Sequence, residues 1–203
     1  AFSGLDVLTH SLESLVAQDS NTITDALAEK AASVILHNLV ECYRHGDNEA
    51  ARKVVHEASC AAGMAFANAG LGIAHSIAHQ LGANFHVPHG LACAMMLPHV
   101  VLYNASKSEY ALHKYAEAFK KSGLVSNSMS DRIAVKRLAA QIQHMMIEMD
   151  CPQNLKAFGI DPAEATKMID VIVDGAKKDG TFPGNPVVPS DEDLAALYKQ
   201  VIN

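Results

Sequence analysis

Apolar residues recur along this chain at every third or fourth position, which is the period of an α-helix with one buried face. Leu5, Leu8, Leu12 and Leu15 form the first such stripe and predict a helix over residues 4–18. Comparable stripes predict helices over 22–43, 48–68, a segment after Gly72, 88–104, 110–121, 131–149, 162–178 and 190 onward. No segment shows the strict alternation of a half-buried β-strand. The pattern predicts an all-α fold with about eight or nine helices.

Several predicted helix ends carry residues that favour them. Gly46 follows the second helix, Pro162 stands at the first position of a later one, and Asp193 completes a capping box begun by Ser190. The third helix is rich in alanine and other small residues, which let neighbouring helices approach closely. We therefore expect the third helix at the centre of the fold.

The composition narrows the classes of function. Of the 203 residues, 49% are hydrophobic and 19% are charged, and the formal net charge is −6. This is enough apolar material for one core, so we expect a single domain over residues 1–203. The acidic balance and the lack of a Lys/Arg cluster argue against a nucleic-acid partner. No apolar run approaches the length of a membrane span, and the first residues do not resemble a signal peptide.

The four cysteines indicate the cellular compartment of the protein. Cys42, Cys60, Cys93 and Cys151 are far apart in sequence and form no Cys-x-x-Cys pair. They lie in or beside predicted helices, so we expect them to be reduced, buried thiols. Reduced cysteines are typical of proteins in the cytoplasm, where we place this chain.

A glycine-punctuated segment, residues 72–90, contains four histidines, and neutral imidazole is a common metal ligand. His75 and His79 are four residues apart and share one helix face. Spacing alone therefore favours His75 and His79 as ligands, followed by His89 at the start of the next helix. The alternative is a pair of structural histidines on a buried face. Ser76 follows His75, so the glutamate of a zinc-protease His-Glu-x-x-His motif is missing.

A second candidate pair lies near the start of the chain. Asp6 and His10 are also four residues apart, on the helix face beside the leucine stripe. Taken alone, Asp6 is typical of a residue that stabilises a helix start, and His10 of an ordinary core or surface histidine. Together with the later histidines they would complete a set of one carboxylate and three imidazoles, which suits divalent iron or zinc.

Several ordered motifs resemble the iron-containing (group III) alcohol dehydrogenases. The motifs are Asp6-Val7-Leu8-Thr9-His10, the run from Ala65 to Gly72, His75-Ser76-Ile77-Ala78-His79, Val87-Pro88-His89-Gly90, Leu102-Tyr103-Asn104-Ala105 and Gly184-Asn185-Pro186. The similarity runs nearly end to end and is strongest to the branch of bifunctional aldehyde–alcohol dehydrogenases and ethanol and propanol dehydrogenases. The resemblance implies the helical C-terminal domain of that family, with the dehydroquinate synthase-like architecture.

The resemblance also implies roles for individual residues. It assigns the metal to the positions Asp6, His10, His75 and His89. It places His79 beside the nicotinamide and the substrate, as a catalytic group in proton relay, and Phe66 in the wall of the substrate pocket. His86 is then structural. Thr181 stands where several members have a cysteine, which puts that contact with the substrate in doubt, and Val187 replaces a frequent arginine.

The implied reaction is reversible hydride transfer between a primary alcohol or aldehyde and NAD(H) or NADP(H), with Fe²⁺ as the metal and Zn²⁺ as the alternative. A nicotinamide enzyme needs a glycine-rich phosphate loop after a strand, and this sequence contains none. We therefore expect a partner domain that binds the dinucleotide and precedes residue 1 in the whole enzyme, and an inactive chain without it. The leucine- and alanine-rich helices are compatible with a homodimer.

Two other functions stay open at this point. One is a helical module without catalysis, retained for metal binding or assembly. The other is a relative of the same fold, such as glycerol dehydrogenase or dehydroquinate synthase, which typically uses zinc and fewer histidines. The pair Asp6 and His10 favours the iron alcohol dehydrogenases.

Overall fold

The computed structural model describes all 203 residues and contains helices and no strand, as the hydrophobic pattern predicts. The eleven α-helices are α1 (Phe2–Val16), α2 (Thr22–Arg44), α3 (Glu49–Ala69), α4 (Ile73–Phe85), α5 (His89–Lys107), α6 (Glu109–Lys121), α7 (Asp131–Glu148), α8 (Leu155–Phe158), α9 (Pro162–Lys167), α10 (Ile169–Lys178) and α11 (Asp191–Lys199). One 3₁₀ turn, Phe182–Gly184, lies in the loop between α10 and α11.

Two more helices are present than the sequence pattern indicates. The helix predicted over 162–178 is interrupted at Met168, whose N–H donates to Ala165 three residues back instead of four. The apolar pattern continues through this break and therefore does not reveal it. The other addition is α8, a single turn that begins at the N-cap Asn154 and ends at Gly159 with φ 107°.

The most deeply buried helices are α1 and α5, not α3 as the sequence suggested. Leu5, Leu8, Leu12 and Leu15 of α1 are each at most 1% exposed, which confirms the first leucine stripe. Helix α1 packs against α2, α3, α5 and α6, and α5 packs against α1, α4, α6, α7 and α11. Only five of the 21 residues of α3 are buried, because one side of that helix faces solvent.

Two glycines let helices approach each other at the place where α1, α4 and α5 meet. A Cβ on Gly90, at the start of α5, would collide with the backbone of Phe2 and lie 3.2 Å from Cβ of Asp6. A Cβ on Gly72, before α4, would lie 2.9 Å from a carboxylate oxygen of Glu13. Because these two residues are glycines, the starts of α4 and α5 can lie directly against the polar residues of α1.

The cysteines form no disulfide, and only some of them are buried. Cys93 and Cys151 are buried as predicted, and Cys42 is partly exposed. The prediction is wrong for Cys60, which is exposed because it lies on the outer side of α3. No single helix is long and apolar enough to cross a membrane, and only α3 and α4 taken together, bent by 105°, meet that test of length and composition.

Candidate metal centre

Helix α1 places three polar side chains on one of its faces. Asp6, His10 and Glu13 are four and three residues apart, so they project in the same direction. Nε2 of His10 lies 3.8 Å from Oδ1 of Asp6. The Glu13 side chain, one turn further along, is only 1% exposed. Helix α1 therefore contributes two carboxylates and one imidazole to the same part of the interior.

Oδ1 of Asp6 lies where histidines from two other helices converge. It is 3.5 Å from Nε2 of His75 in α4 and 3.4 Å from Nε2 of His89 in α5. One turn after His89, Cys93 places its Sγ 3.7 Å from Nε2 of His89. Donor atoms of these four residues all lie within 4.8 Å of one another. The structure thus groups three of the four predicted ligands with a thiol that sequence reasoning missed.

His10, the fourth predicted ligand, lies at the edge of this group. Its ring stacks on the ring of His75 with centroids 4.9 Å apart and on Phe66 with centroids 4.4 Å apart. It is not among the residues whose donor atoms are all within 4.8 Å of one another. His10 therefore borders the group on the side of Phe66 and approaches it through Asp6.

Two atoms of the group have no hydrogen-bond partner, although both are buried: Oδ1 of Asp6 and Nε2 of His75. An unsatisfied buried polar atom costs about 1 to 3 kcal/mol. A divalent cation between them would satisfy both atoms at once. Carboxylate oxygen with imidazole nitrogen is a donor set that iron and zinc both accept, so the residues present fit such an ion.

The charges around the group leave most donors ready for a metal. Burial raises the pKa of Asp6, but the neighbouring His75, His10 and His89 outweigh this effect and hold the pKa below its usual value. Burial lowers the pKa of His10 from 6.5 to about 4 and also lowers that of His89. At neutral pH Asp6 is therefore ionised, and these two imidazoles keep the lone pairs that a ligand needs.

His75 is held on its other side by Glu13. Oε2 of Glu13 lies 2.6 Å from Nδ1 of His75, and Oε1 accepts the backbone N–H of Ala74 at 2.7 Å. Burial lowers the pKa of His75, but Asp6, Cys93 and Glu13 raise it to about 12. The surroundings of this imidazole therefore strongly favour a positive charge. Either a second proton on the ring or a cation bound to Nε2 supplies that charge.

His79 lies next to this group and has a different partner. Its ring stacks on His89 with centroids 5.3 Å apart, and its Nδ1 lies 2.7 Å from Oδ2 of Asp179. Oδ1 of Asp179 accepts the backbone N–H and the hydroxyl of Thr181, at 2.9 and 2.8 Å. Burial raises the pKa of Asp179, but Thr181 and His79 outweigh this and lower it. Because Asp179 engages Nδ1, Nε2 of His79 is left as the other ring nitrogen available for a hydrogen bond.

A cavity of about 480 Å³ lies beside Phe66 and is bounded by Leu71, Gly180, Thr181 and Gly184 among others. Phe66 lines this cavity, and its ring stacks on the imidazole of His10. His86, predicted to be structural, is exposed and ends α4 with φ 56°. A further cavity of about 360 Å³, lined by Cys42, Arg52 and His56 among others, contains none of the predicted site residues.

Sequence reasoning missed Glu13, Cys93 and Asp179 at this centre, and it named Asn185 only within the motif Gly184-Asn185-Pro186, without a role. Two of them could have been found from helix spacing, because Glu13 is one turn beyond His10 and Cys93 is one turn beyond His89. The amide of Asn185 is buried against the start of α4, where Oδ1 accepts the backbone N–H of Ile73 at 3.4 Å. Asp179 lies in an irregular loop, where no periodicity marks it.

Comparison with known proteins identifies the family of the chain. A profile described as "Fe-containing alcohol dehydrogenase family, C-terminal" matches residues 1–202. The 1-propanol dehydrogenase PduQ of Citrobacter freundii is 38% identical over 202 residues, which cover 100% of this chain and 54% of that protein. The NADPH-dependent butanol dehydrogenase of Clostridium saccharobutylicum is 37% identical over 201 residues, which cover 99% of this chain and 50% of that protein.

Solved structures give the same result. The crystal structure of a 1,3-propanediol oxidoreductase matches with a TM-score of 0.90 and 34% sequence identity, covering 99% of this chain and 51% of that one. The chain spans about half the length of the relatives it matches. Because the family profile extends over nearly every residue, the chain belongs to the iron-containing alcohol dehydrogenase family, whose C-terminal domain it represents.

Proposed function

We propose that the chain is the metal-binding half of an alcohol dehydrogenase that interconverts primary alcohols and aldehydes by hydride transfer. The observation that carries this proposal is the convergence of Asp6, His75 and His89, with His10 adjacent. Two buried atoms of this group, Oδ1 of Asp6 and Nε2 of His75, have no hydrogen-bond partner. The relatives named for 1-propanol, butanol and 1,3-propanediol support a small primary alcohol as the substrate.

We propose Asp6, His10, His75 and His89 as the residues that hold the metal, with Fe²⁺ as the ion and Zn²⁺ as the alternative. A divalent ion held there supplies the Lewis acidity that lowers the pKa of an alcohol and stabilises its alkoxide. Asp6 brings the negative charge that offsets the ion. Glu13 fixes the tautomer of His75, since a hydrogen on Nδ1 bonded to Glu13 leaves Nε2 directed to Asp6.

His79 is the residue we propose for proton transfer. Its Nδ1 is held by Asp179, so the alcohol proton would be taken and returned at Nε2. Phe66 and the adjacent cavity would enclose the alkyl part of the substrate and exclude water from it. Thr181, which stands where several members have a cysteine, supports Asp179 through its hydroxyl.

The hydride is carried by NAD(H) or NADP(H), which requires a dinucleotide-binding domain besides these helices. The relatives are about twice as long as this chain, which supports such a partner within the same enzyme. We accordingly propose that these helices have no dehydrogenase activity without that domain, and that the whole enzyme acts in the cytoplasm, where four free thiols persist.

A non-catalytic metal-binding or assembly module is the alternative. It would need the buried donors, but it gives no reason for an imidazole fixed by Asp179 beside them. A glycerol dehydrogenase-like relative is a further alternative, and the proximity of His10 to Asp6 favours the alcohol dehydrogenases over it.

The test joins residues 1–203 to the dinucleotide-binding half of the Citrobacter 1-propanol dehydrogenase and follows NAD(P)H oxidation with propanal, after anaerobic loading with Fe²⁺ or Zn²⁺. The chimera should turn over, residues 1–203 alone should not, and Asp179→Asn should slow the chimera without loss of metal. A folded, metal-loaded chimera without turnover would contradict the proposed reaction. Aldehyde reduction by residues 1–203 alone would contradict the need for a partner domain.

A further inference from the structure

The thiol of Cys93 occupies a place in the metal centre that the proposed ligand set does not use. Cys93 follows His89 by one helical turn of α5 and is fully buried. Its Sγ is 3.7 Å from Nε2 of His89, and it lies within 4.8 Å of the donor atoms of Asp6 and His75. Nε2 of His10 lies next to the same group, 3.8 Å from Oδ1 of Asp6.

These distances are those of atoms that share one ion. Donors bound about 2.0 to 2.3 Å from a tetrahedral metal lie roughly 3.3 to 3.8 Å from each other. The separations of 3.4 Å between Asp6 and His89, 3.5 Å between Asp6 and His75, and 3.7 Å between His89 and Cys93 all fall in this interval. Independently, Nε2 of His75 is buried, has no partner and faces the same space.

We propose that Cys93 is a sulfur donor to the divalent ion held by Asp6, His10, His75 and His89, so that the centre contains a thiolate besides oxygen and nitrogen ligands. This inference rests on the metal centre of the proposed function. When the ion binds, the S–H bond of Cys93 breaks, its proton passes to the solvent buffer, and a metal–sulfur bond forms. No oxidation or reduction is involved.

A thiol that merely packs in the core is the competing explanation. In that case the S–H group donates to an imidazole nitrogen such as Nε2 of His89. A metal ion takes the lone pairs of those same nitrogens, so a bystander thiol would lose its acceptor when the ion binds. Thiolate also changes selectivity, because sulfur favours zinc and cobalt over harder ions such as magnesium and manganese.

The test is an anaerobic Co²⁺ titration of the full 203-residue chain, in a Cys60→Ser background that removes the exposed thiol. The parent should show a near-ultraviolet sulfur-to-cobalt charge-transfer band together with visible d–d bands. Cys93→Ala should lose the charge-transfer band, keep d–d bands and bind Zn²⁺ at least about 10-fold more weakly, since loss of an outer-shell partner alone costs roughly that much. The matched control Cys151→Ala, also buried, should behave as the parent.

Zinc-edge X-ray absorption gives a second readout, a sulfur shell at about 2.3 Å in the parent that is missing in Cys93→Ala. Cobalt bound with d–d bands but without a sulfur band in the parent would overturn the proposal and leave the metal centre intact. A band that persists in Cys93→Ala would overturn it as well. No cobalt uptake at all would overturn both the thiolate and the metal centre, and far-ultraviolet circular dichroism verifies that each variant is folded.

Discussion

Nδ1 of His75 lies 2.6 Å from a carboxylate oxygen of Glu13, and both side chains are at most 2% exposed. The same carboxylate accepts the backbone N–H of Ala74, so it binds the first turn of α4 as well as the imidazole. A carboxylate behind a metal-binding histidine fixes the ring orientation and raises the basicity of the other nitrogen. Glu13 therefore couples the helix packing of α1 and α4 to the geometry of the centre.

We predict that Glu13→Gln weakens Zn²⁺ binding by about 10- to 100-fold while the chain stays folded. The amide keeps the shape of the side chain but removes the negative charge that supports His75. Competition with a coloured chelator measures the affinity, and urea unfolding measures the stability. The control is Glu57→Gln on the exposed side of α3, which should change neither quantity. Equal Zn²⁺ affinity of Glu13→Gln and the unaltered chain would contradict this role.

Part of the centre could be predicted from sequence because it follows helix periodicity. Asp6 and His10 share a face of α1, and the leucine stripe beside them places that face inside the protein. The order of motifs along the chain then indicated the family and, through it, the candidate ligands. The presence of the helices could be predicted equally well, because an apolar spacing of 3 or 4 residues depends only on local sequence.

Other parts depend on contacts that no local pattern encodes. Asp179 reaches His79 across 100 residues of sequence, from a loop without periodicity. The break at Met168 is hidden because apolar residues continue on both sides of it. Helices α1 and α5, and not α3, are central because other helices cover them on several sides. That coverage is a property of the assembled fold and cannot be predicted from the composition of one helix.

The three central histidines should separate by function. We predict that His75→Ala and His89→Ala abolish metal retention, because each removes a donor next to Oδ1 of Asp6. His79→Ala should retain the metal, because its Nδ1 is engaged by Asp179, and should impair turnover in the chimera with a dinucleotide-binding half. Elemental analysis after dialysis measures the metal, and equal loss in all three variants would contradict the separation.

Alkaline pH should destabilise the chain through a tyrosine remote from the metal centre. Tyr198 is 0% exposed and donates its hydroxyl to the carbonyl of Ala165 at 2.8 Å. Burial raises its pKa from 10.0 to about 12. The unfolded chain therefore loses this proton before the folded chain does. The contribution of Tyr198 to stability is complete below pH 10.0 and is lost as the pH rises to about 12.

We predict that Tyr198→Phe lowers stability at neutral pH by about 0.5 to 1.5 kcal/mol, because one buried hydrogen bond is lost while the carbonyl of Ala165 keeps the N–H of Met168 as a partner. The variant should also lose less stability than the unaltered chain when the pH rises above 10.0. Urea unfolding across this pH interval measures both effects. Tyr110→Phe, at a site 51% exposed, is the control and should leave the pH profile unchanged. Parallel pH profiles for Tyr198→Phe and the unaltered chain would refute the assignment.

Gly90 tests whether the close contact of α5 with α1 sets the geometry of the centre. An added Cβ would collide with the carbonyl oxygen of Phe2 and lie 2.7 Å from its carbonyl carbon, so backbone must move. We predict that Gly90→Ala destabilises the fold by about 1 to 3 kcal/mol and weakens Zn²⁺ binding, since the shift separates His89 from Asp6. Gly63→Ala is the matched control: nothing lies within 4 Å of its Cβ, and in the interior of α3 it should stabilise the fold by about 0.5 to 1 kcal/mol. Urea midpoints and chelator competition compare the two variants, and a Gly90→Ala chain with unaltered stability and metal affinity would show that this contact can relax without moving His89.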